Sequence, residues 1–395
     1  MPGFEVFGEE ERREVGEVLE TGVLFRYGFD AQRKGRWKAR SFESEFAARL
    51  GVGHCHLVSS GTASLYVALS ACGVGAGDHV IISPFTFVAT FEAILGVGAV
   101  PVFADMDETL CLSPAAARAA ITERTKAVAP VHMCGAMARI EDLKALCGEK
   151  GLTLVEDTCQ AVGGSYKGRA LGTFGRAGCF SFDAVKTITC GEGGAVVTDD
   201  PLVSQRADQY ADHGHDHVGS DRGADGHPIL GTNYRISELN AAVGLAQLRK
   251  LDRILAAQRA NKKVLRDALS AYRDVRFREV PDPAGDTATF LCFFLPAEED
   301  ARKAAKELGK AGLEGASYWY DNNWHYLRRW EHLKNLKSAA RLPQHLYDSV
   351  PDYNKVDLSL SDRIMGKTVC VQIKVGWTEK DLAARVAAIR TVFGN

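Results

Sequence analysis

Three short stretches of this sequence set reactive or charge-bearing residues at points where a backbone turn could present them. SSGTASLYVAL, residues 59–69, reads as a strand ending at Ser59-Ser60, a glycine turn, and a helix beginning near Thr62. The free N–H groups of a helix start, its dipole and a hydroxyl together make a seat for a phosphate; a plain N-capped helix has the same pattern. VEDTCQA, residues 155–161, ends an apolar strand on two carboxylates. Open α/β sheets gather ligands at such strand ends, and a carboxylate there can hold a heteroaromatic nitrogen protonated. The third stretch, GCFSFDAVKTITCGEGGAVVTDD (178–200), carries Ser181 and, five residues later, Lys186 among apolar neighbours. Partial desolvation of that lysine favours the neutral amine that imine formation needs. Most lysines are solvated surface residues, so the weight lies in the ordered set of phosphate seat, strand-end Asp157, Ser181 and Lys186. GVGAGD (73–78) has the glycines of a dinucleotide loop but follows a helix, and reads as a turn.

The elements that must position these residues alternate from about residue 44 to 200. Amphipathic FESEFAARL is followed by strand-like HLVSS, helical TASLYVALSAC, then HVIIS, PVFAD, KAVAPVH and LTLVED with helical segments between them. Short apolar runs alternating with helices predict βαβ units and a buried, mostly parallel sheet. From residue 236 the pattern predicts one helical stretch of nearly forty residues, then a smaller α+β portion ending in a helix. The expected organisation is a large α/β domain over 1–250 and a small C-terminal domain over 251–395, the latter including the connecting helix.

Composition narrows the function classes. Lys+Arg 48 against Asp+Glu 50 leaves a net charge of -2, which gives no global electrostatic reason to expect nucleic acid or an anionic membrane. No apolar run approaches the ~20 residues of a spanning helix. The N-terminus is acidic from residue 5 and lacks a signal-peptide core, so a cytoplasmic location is expected. The ten cysteines are scattered without a CxxC and are expected to be reduced and mostly buried, with neither a zinc nor a disulfide framework. His213, His215 and His217 alternate on a loop, but no carboxylate–cysteine partner set accompanies them. They read as a substrate-facing loop, not a metal site.

Taken in order, SSGTASL, TFVAT, VEDTCQAVGGSYKGRALGTFG, FSFDAVKTITCGEGGAVVTDD and NYRISELNAAVGLAQL resemble the DegT/DnrJ/EryC1/StrS sugar aminotransferases of the pyridoxal-phosphate fold type I. The resemblance runs from residue 59 to the C-terminal helix. It implies a large domain with a mostly parallel seven-stranded sheet and pyridoxal 5'-phosphate as cofactor. Position by position, it makes Lys186 the lysine that binds the cofactor as an imine and then serves as general base, and Asp157 the partner of the pyridine nitrogen. Gln160 would lie near the ring's phenolic oxygen and Phe87 on the ring face. Gly61, Thr62, Ala63 and Ser181 would hold the phosphate, with Asn233 reaching the seat from the neighbouring subunit of a homodimer. Arg235 is a candidate for the carboxylate of the amino donor, glutamate in the family, and ping-pong kinetics are implied.

FRYGFDAQRKGRWKAR (25–40), VHMCGAMARI, residues 212–229 and SYWYDNNWHYLRRWEHL (317–333) resemble one narrower branch. Its members aminate the terminal aldehyde of an oxidised 3-deoxy-D-manno-octulosonate, giving 8-amino-3,8-dideoxy-D-manno-octulosonate for lipopolysaccharide. Such an acid sugar needs cationic donors, and Arg26, Arg36, Lys38, Arg40, His213 and His215 are at hand. His325 matches a histidine that faces substrate in relatives, and Tyr320 is a second, weaker candidate. Thr158 and Asp183 depart from the broader family, which argues against a nucleotide-linked sugar. Two other readings are a nucleotide-sugar aminotransferase and a dehydratase; dehydratases of the family replace the lysine by histidine, and this chain has Lys186. A cofactor-binding regulator on the same fold is the non-enzymatic rival.

Overall fold

The computed structural model describes residues 2–218 and 223–394. Helices α1 (Glu9–Thr21) and α2 (Lys38–Leu50) lead into β1 (His54–Val58), α3 (Gly61–Ala71), β2 (His79–Ile82), α4 (Val88–Gly96), β3 (Val100–Phe103) and β4 (Thr125–Val128). Next come α5 (Ile140–Lys150), β5 (Thr153–Asp157), β6 (Ala177–Ser181), β7 (Gly194–Thr198) and α6 (Pro201–Ala211). These strands form one seven-stranded sheet in the order β1-β7-β6-β5-β4-β2-β3. Pairings from β3 through β6 are parallel, while β7 runs antiparallel to both β6 and β1. β2 and β6 are buried along their whole length, as near-continuous apolar runs covered by helices on both faces should be. Phe46 packs edge-on against Phe180, with ring centroids 5.0 Å apart, and Phe182 joins the same cluster under α2.

The second half holds α7 (Glu238–Leu248), α8 (Leu251–Leu269), β8 (Arg276–Phe277), β9 (Phe290–Phe294), α9 (Glu298–Lys310), β10 (Ala316–Ser317), β11 (Thr368–Gln372) and α10 (Glu379–Phe393). A four-stranded antiparallel sheet runs β8-β9-β11-β10. The long helix expected from residue 236 is two helices, parted at Arg249-Lys250. Neither glycine nor proline marks the break. Lys250 is buried there, its Nζ bonded to Val6 O at 2.9 Å and to both oxygens of Glu11, so tertiary ion pairing from the N-terminus sets the boundary. Among the described residues no helix is long and apolar enough to cross a membrane.

Candidate active site

The C-terminal ends of β1, β5 and β6 open onto one cavity of about 200 Å³. Ser60 caps α3, its hydroxyl accepting from Ala63 N at 3.0 Å. The loop passes so close to β6 that a Cβ on Gly61 would lie 2.5 Å from Ser181 Cβ and 2.7 Å from its Oγ. Only glycine lets the helix start and the Ser181 hydroxyl share this corner. Gly61→Ala is therefore expected to force the seat apart at an overpacking cost of about 1–3 kcal/mol, which lowers cofactor affinity roughly tenfold. Equilibrium dialysis of pyridoxal phosphate against the variant measures that loss.

On β5 the two adjacent carboxylates face opposite ways, as strand alternation requires. Glu156 is fully buried and bonded by Gly172 N at 2.9 Å, Gly175 N at 2.6 Å and His132 Nε2 at 3.1 Å. It is a structural acid. Asp157 lines the cavity while remaining 3% exposed. Thr90, from α4, donates to its Oδ2 at 2.8 Å, and Cys159 N to its Oδ1 at 3.1 Å. A hydrogen bond to a charged group contributes about 1.5–3 kcal/mol, so the pair fixes the carboxylate's orientation. Gln160 is aimed in the same way, its Oε1 accepting from Cys134 N at 3.1 Å.

Lys186 lies half-buried across the cavity, its Nζ 5.8 Å from the centroid of the Phe87 ring. Here the 322–326 segment closes in. Thr86 N donates to His325 O and Val88 N to Trp324 O, both at 3.0 Å, and Phe85 bridges to Tyr326. Trp324 lies parallel to Phe87, centroids 5.6 Å apart, and Trp319 stacks on His325 at 4.4 Å. Burial, reinforced by the neighbouring Lys186 ammonium, pushes His325 down to about 4, so its ring is a neutral donor and acceptor at neutral pH. Behind this wall is a second chamber of about 270 Å³, sharing Cys159, Gln160, Val185, Lys186 and His325 with the first. Trp319, Asn322 and Gln372 line its far side.

One cavity thus gathers Gly61, Thr62, Phe87, Asp157, Gln160, Ser181, Lys186 and His325, with Ala63 N bonded beneath it. Sequence reasoning missed Thr90, Trp319, Asn322 and Gln372. For Thr90 a signal existed: it stands one helical turn after Thr86, and the two hydroxyls meet at 2.6 Å.

Other expected residues lie elsewhere. Arg26 is not an open cation for a sugar acid: it is 5% exposed and bonded to Leu57 O and Glu43, each at 2.7 Å. Lys38 is likewise spent on Glu14 and Glu17, and Arg36 on Glu20. Arg40 stacks on Trp37. Tyr320 packs on Tyr326 at 5.2 Å and does not line either chamber. Asn233, Arg235, His213 and His215 are not beside Lys186 of this chain. They line neither chamber, although Arg235 bridges to Val58 and Ser59 N donates to Tyr234 O at 2.8 Å just ahead of the helix start; on this patch Asp212 bridges to Asn233 and pairs with Arg235, while His215 packs against His227. Residues 219–222 of the expected substrate-facing loop lie outside the described residues.

His217 anchors that patch, its ring bonded to Asp208 at 2.7 Å and Asp212 at 2.9 Å and stacked on Tyr27. Burial opposes the charged ring, but the two carboxylates outweigh it and push His217 up to about 9. An unfolded histidine titrates near 6.5. The stabilisation is therefore complete below about 6.5 and is lost as pH rises through about 9. Urea titrations at several pH values should show this decline in the native protein and a flatter profile in His217→Gln.

The sequence signature of the DegT/DnrJ/EryC1/StrS aminotransferase family matches residues 6–390, and the chain belongs to that family. It is a sugar aminotransferase dependent on pyridoxal phosphate. It is 40% identical over 301 residues to the L-glutamine:2-deoxy-scyllo-inosose aminotransferase of Streptomyces kanamyceticus, an alignment covering 70% of this chain and 69% of that one. Against the GDP-perosamine synthase of Vibrio cholerae it is 38% identical over 261 residues, 66% of this chain and 68% of the other. The crystal structure of 3-amino-5-hydroxybenzoic acid synthase superposes with a TM-score of 0.83 at 30% identity, covering 100% and 98% of the two chains.

Proposed function

We propose that this aminotransferase transfers an amino group from glutamate to the terminal aldehyde of an oxidised 3-deoxy-D-manno-octulosonate, giving 8-amino-3,8-dideoxy-D-manno-octulosonate for lipopolysaccharide. The observation that carries the reading is the compact second chamber that meets the cofactor cavity at Lys186. Its volume of about 270 Å³ falls just under the roughly 300–1,000 Å³ of pockets for drug-sized ligands. It combines aromatic faces with the amides of Asn322 and Gln372, a lining suited to a small polyol. The four stretches shared with the octulosonate branch support the same substrate.

The residues fit the cofactor. Gly61–Ala63 and Ser181 would hold its phosphate, Asp157 its ring nitrogen, Gln160 its phenolic oxygen and Phe87 one ring face, with Lys186 attaching it covalently. When bound, pyridoxal phosphate supplies an electron sink conjugated to the substrate's amine nitrogen. Lys186, displaced by the donor amine, takes the proton from the donor's Cα and, in the second half-reaction, returns one to the carbon receiving the amine. The neutral His325 holds a substrate polar group at the junction of the two chambers, and the aromatic wall excludes water.

The patch bearing Asn233 and Arg235, which lines neither chamber of its own chain, supports a homodimer in which it completes the neighbouring site. Exposed apolar side chains on the N-terminal segment, Phe4, Phe7 and Phe29, together with Leu230 beside the patch, suit such an interface. Arg235, the candidate for the carboxylate of glutamate, would reach it from across the interface by exchanging its ion pair with Asp212.

A nucleotide-linked keto sugar is the second reading, favoured by the likeness to the GDP-perosamine synthase. Visible spectroscopy separates the two. The absorbance band of the lysine-bound cofactor should disappear with glutamate, and equally with 8-amino-3,8-dideoxy-D-manno-octulosonate as reverse-direction donor. Bleaching by glutamate and by a nucleotide-linked amino sugar, but not by the octulosonate, would transfer the assignment to nucleotide sugars.

A further inference from the structure

The cysteines are scattered in sequence, yet three of them meet. Cys134 lies in the single turn Met133–Gly135, Cys292 on β9 and Cys370 on β11. Their sulfur atoms all fall within 4.8 Å of one another. Cys292 and Cys370 are directly opposed across the two strands, with Sγ atoms 3.1 Å apart. Cys134 and Cys370 are 0% exposed and Cys292 1%. Cys134 reaches the cluster from the left-handed region, at φ 57, a conformation that non-glycine residues adopt at a cost.

A second observation points to missing negative charge. Arg278, 5% exposed, stands beside the thiols. Its Nη1 donates to Met133 O at 2.9 Å, Nη2 donates to Thr109 O and approaches Cys111 Sγ at 3.8 Å, and its buried Nε has no partner. No carboxylate is among these contacts, and Asp286 is engaged by Lys262. A buried guanidinium with no carboxylate bonded to it is costly; beyond the more distant Asp286, thiolates would add negative charge that three neutral thiols do not.

We propose that Cys134, Cys292 and Cys370 form a three-coordinate site for a soft monovalent ion, Cu(I). Thiolates select soft metals. Zinc sites take a fourth ligand and iron–sulfur clusters four cysteines, but among the described residues the cluster offers three sulfurs and no histidine or carboxylate. Loading breaks three S–H bonds and forms three Cu–S bonds. Three protons leave to solvent, and copper remains Cu(I) with no electron transferred. The resulting group carries two negative charges, one of which Arg278 offsets. It would also tie the small sheet to the turn whose Cys134 N–H holds Gln160.

The test uses the full-length cofactor-loaded protein, expressed with copper supplementation and handled without oxygen. After competition with the Cu(I) chelator bathocuproine disulfonate, the native protein should keep one copper per chain. X-ray absorption should show three sulfur neighbours and no nitrogen, and thermal unfolding should shift upward relative to the copper-free protein. Cys134→Ser and Cys292→Ser should each retain at least about tenfold less copper, since even loss of a group that only supports a ligand costs about 10–100-fold in affinity, while Cys55→Ser, outside the cluster, should match the native protein. Should a variant fail to fold, the sulfur count of the native protein decides. The proposal is overturned if the chelator strips native protein and variants alike, if fewer than three sulfurs surround the metal, or if air converts Cys292 and Cys370 to a disulfide with no copper retained.

Discussion

Replacing Lys186 by alanine should abolish the visible band of lysine-bound cofactor and lower turnover by about 10⁴-fold, the upper end of what a positioned acid–base group supplies. The residue combines covalent attachment with proton transfer, and nothing nearby substitutes for it. Among the groups lining the cofactor cavity, Asp157 and Glu192 are acids, Asp183 is another, and His325 is held neutral. Among the described residues no second amine lines either chamber. Pyridoxal phosphate should still bind noncovalently, because Gly61 and Ser181 are untouched. Single-turnover mixing of donor with the reconstituted variant distinguishes lost chemistry from lost binding. Turnover within tenfold of the native rate would remove Lys186 from the mechanism.

Asp157→Asn should lower kcat on the order of 10²–10³-fold, the range seen when one preorganised electrostatic contact is lost, while leaving the fold intact. The amide has nearly the volume of the carboxylate, and its oxygen can still accept from Thr90 or Cys159 N. What it lacks is the charge that keeps a ring nitrogen protonated. The loss should fall on kcat more than on KM, since the interaction strengthens as electron density moves into the ring. A variant whose KM rises while kcat is unchanged would assign Asp157 to substrate binding instead.

The local half of this site was legible in the sequence and the assembled half was not. SSGT, VED and FSFDAVK each encode a strand end and a turn within a few residues, so their side chains' placement follows from backbone rules alone. The parallel sheet was legible for the same reason, its strands being short apolar runs between helical patterns. Thr90, Trp319, Asn322 and Gln372 reach the cavity from elements far apart in the chain, and no local rule reports such convergence. Arg26 misled because its partner Glu43 lies 17 residues away; a basic stretch looks solvated until its acids are placed. The break at Arg249-Lys250 was invisible because the Lys250–Glu11 pair spans 239 residues.

The seam between residues 84–88 and 324–327 has an evolutionary consequence. It is fastened chiefly main chain to main chain, through Thr86, Val88 and Leu327 N–H groups, with the Asn322 side chain adding one bond to Trp324 N. Substitutions at position 324 can therefore alter the wall while the backbone bonds that align it remain. A lineage holding this seam could vary the wall beside the cofactor cavity one side chain at a time, because the backbone bonds that place the wall are carried by every residue type but proline.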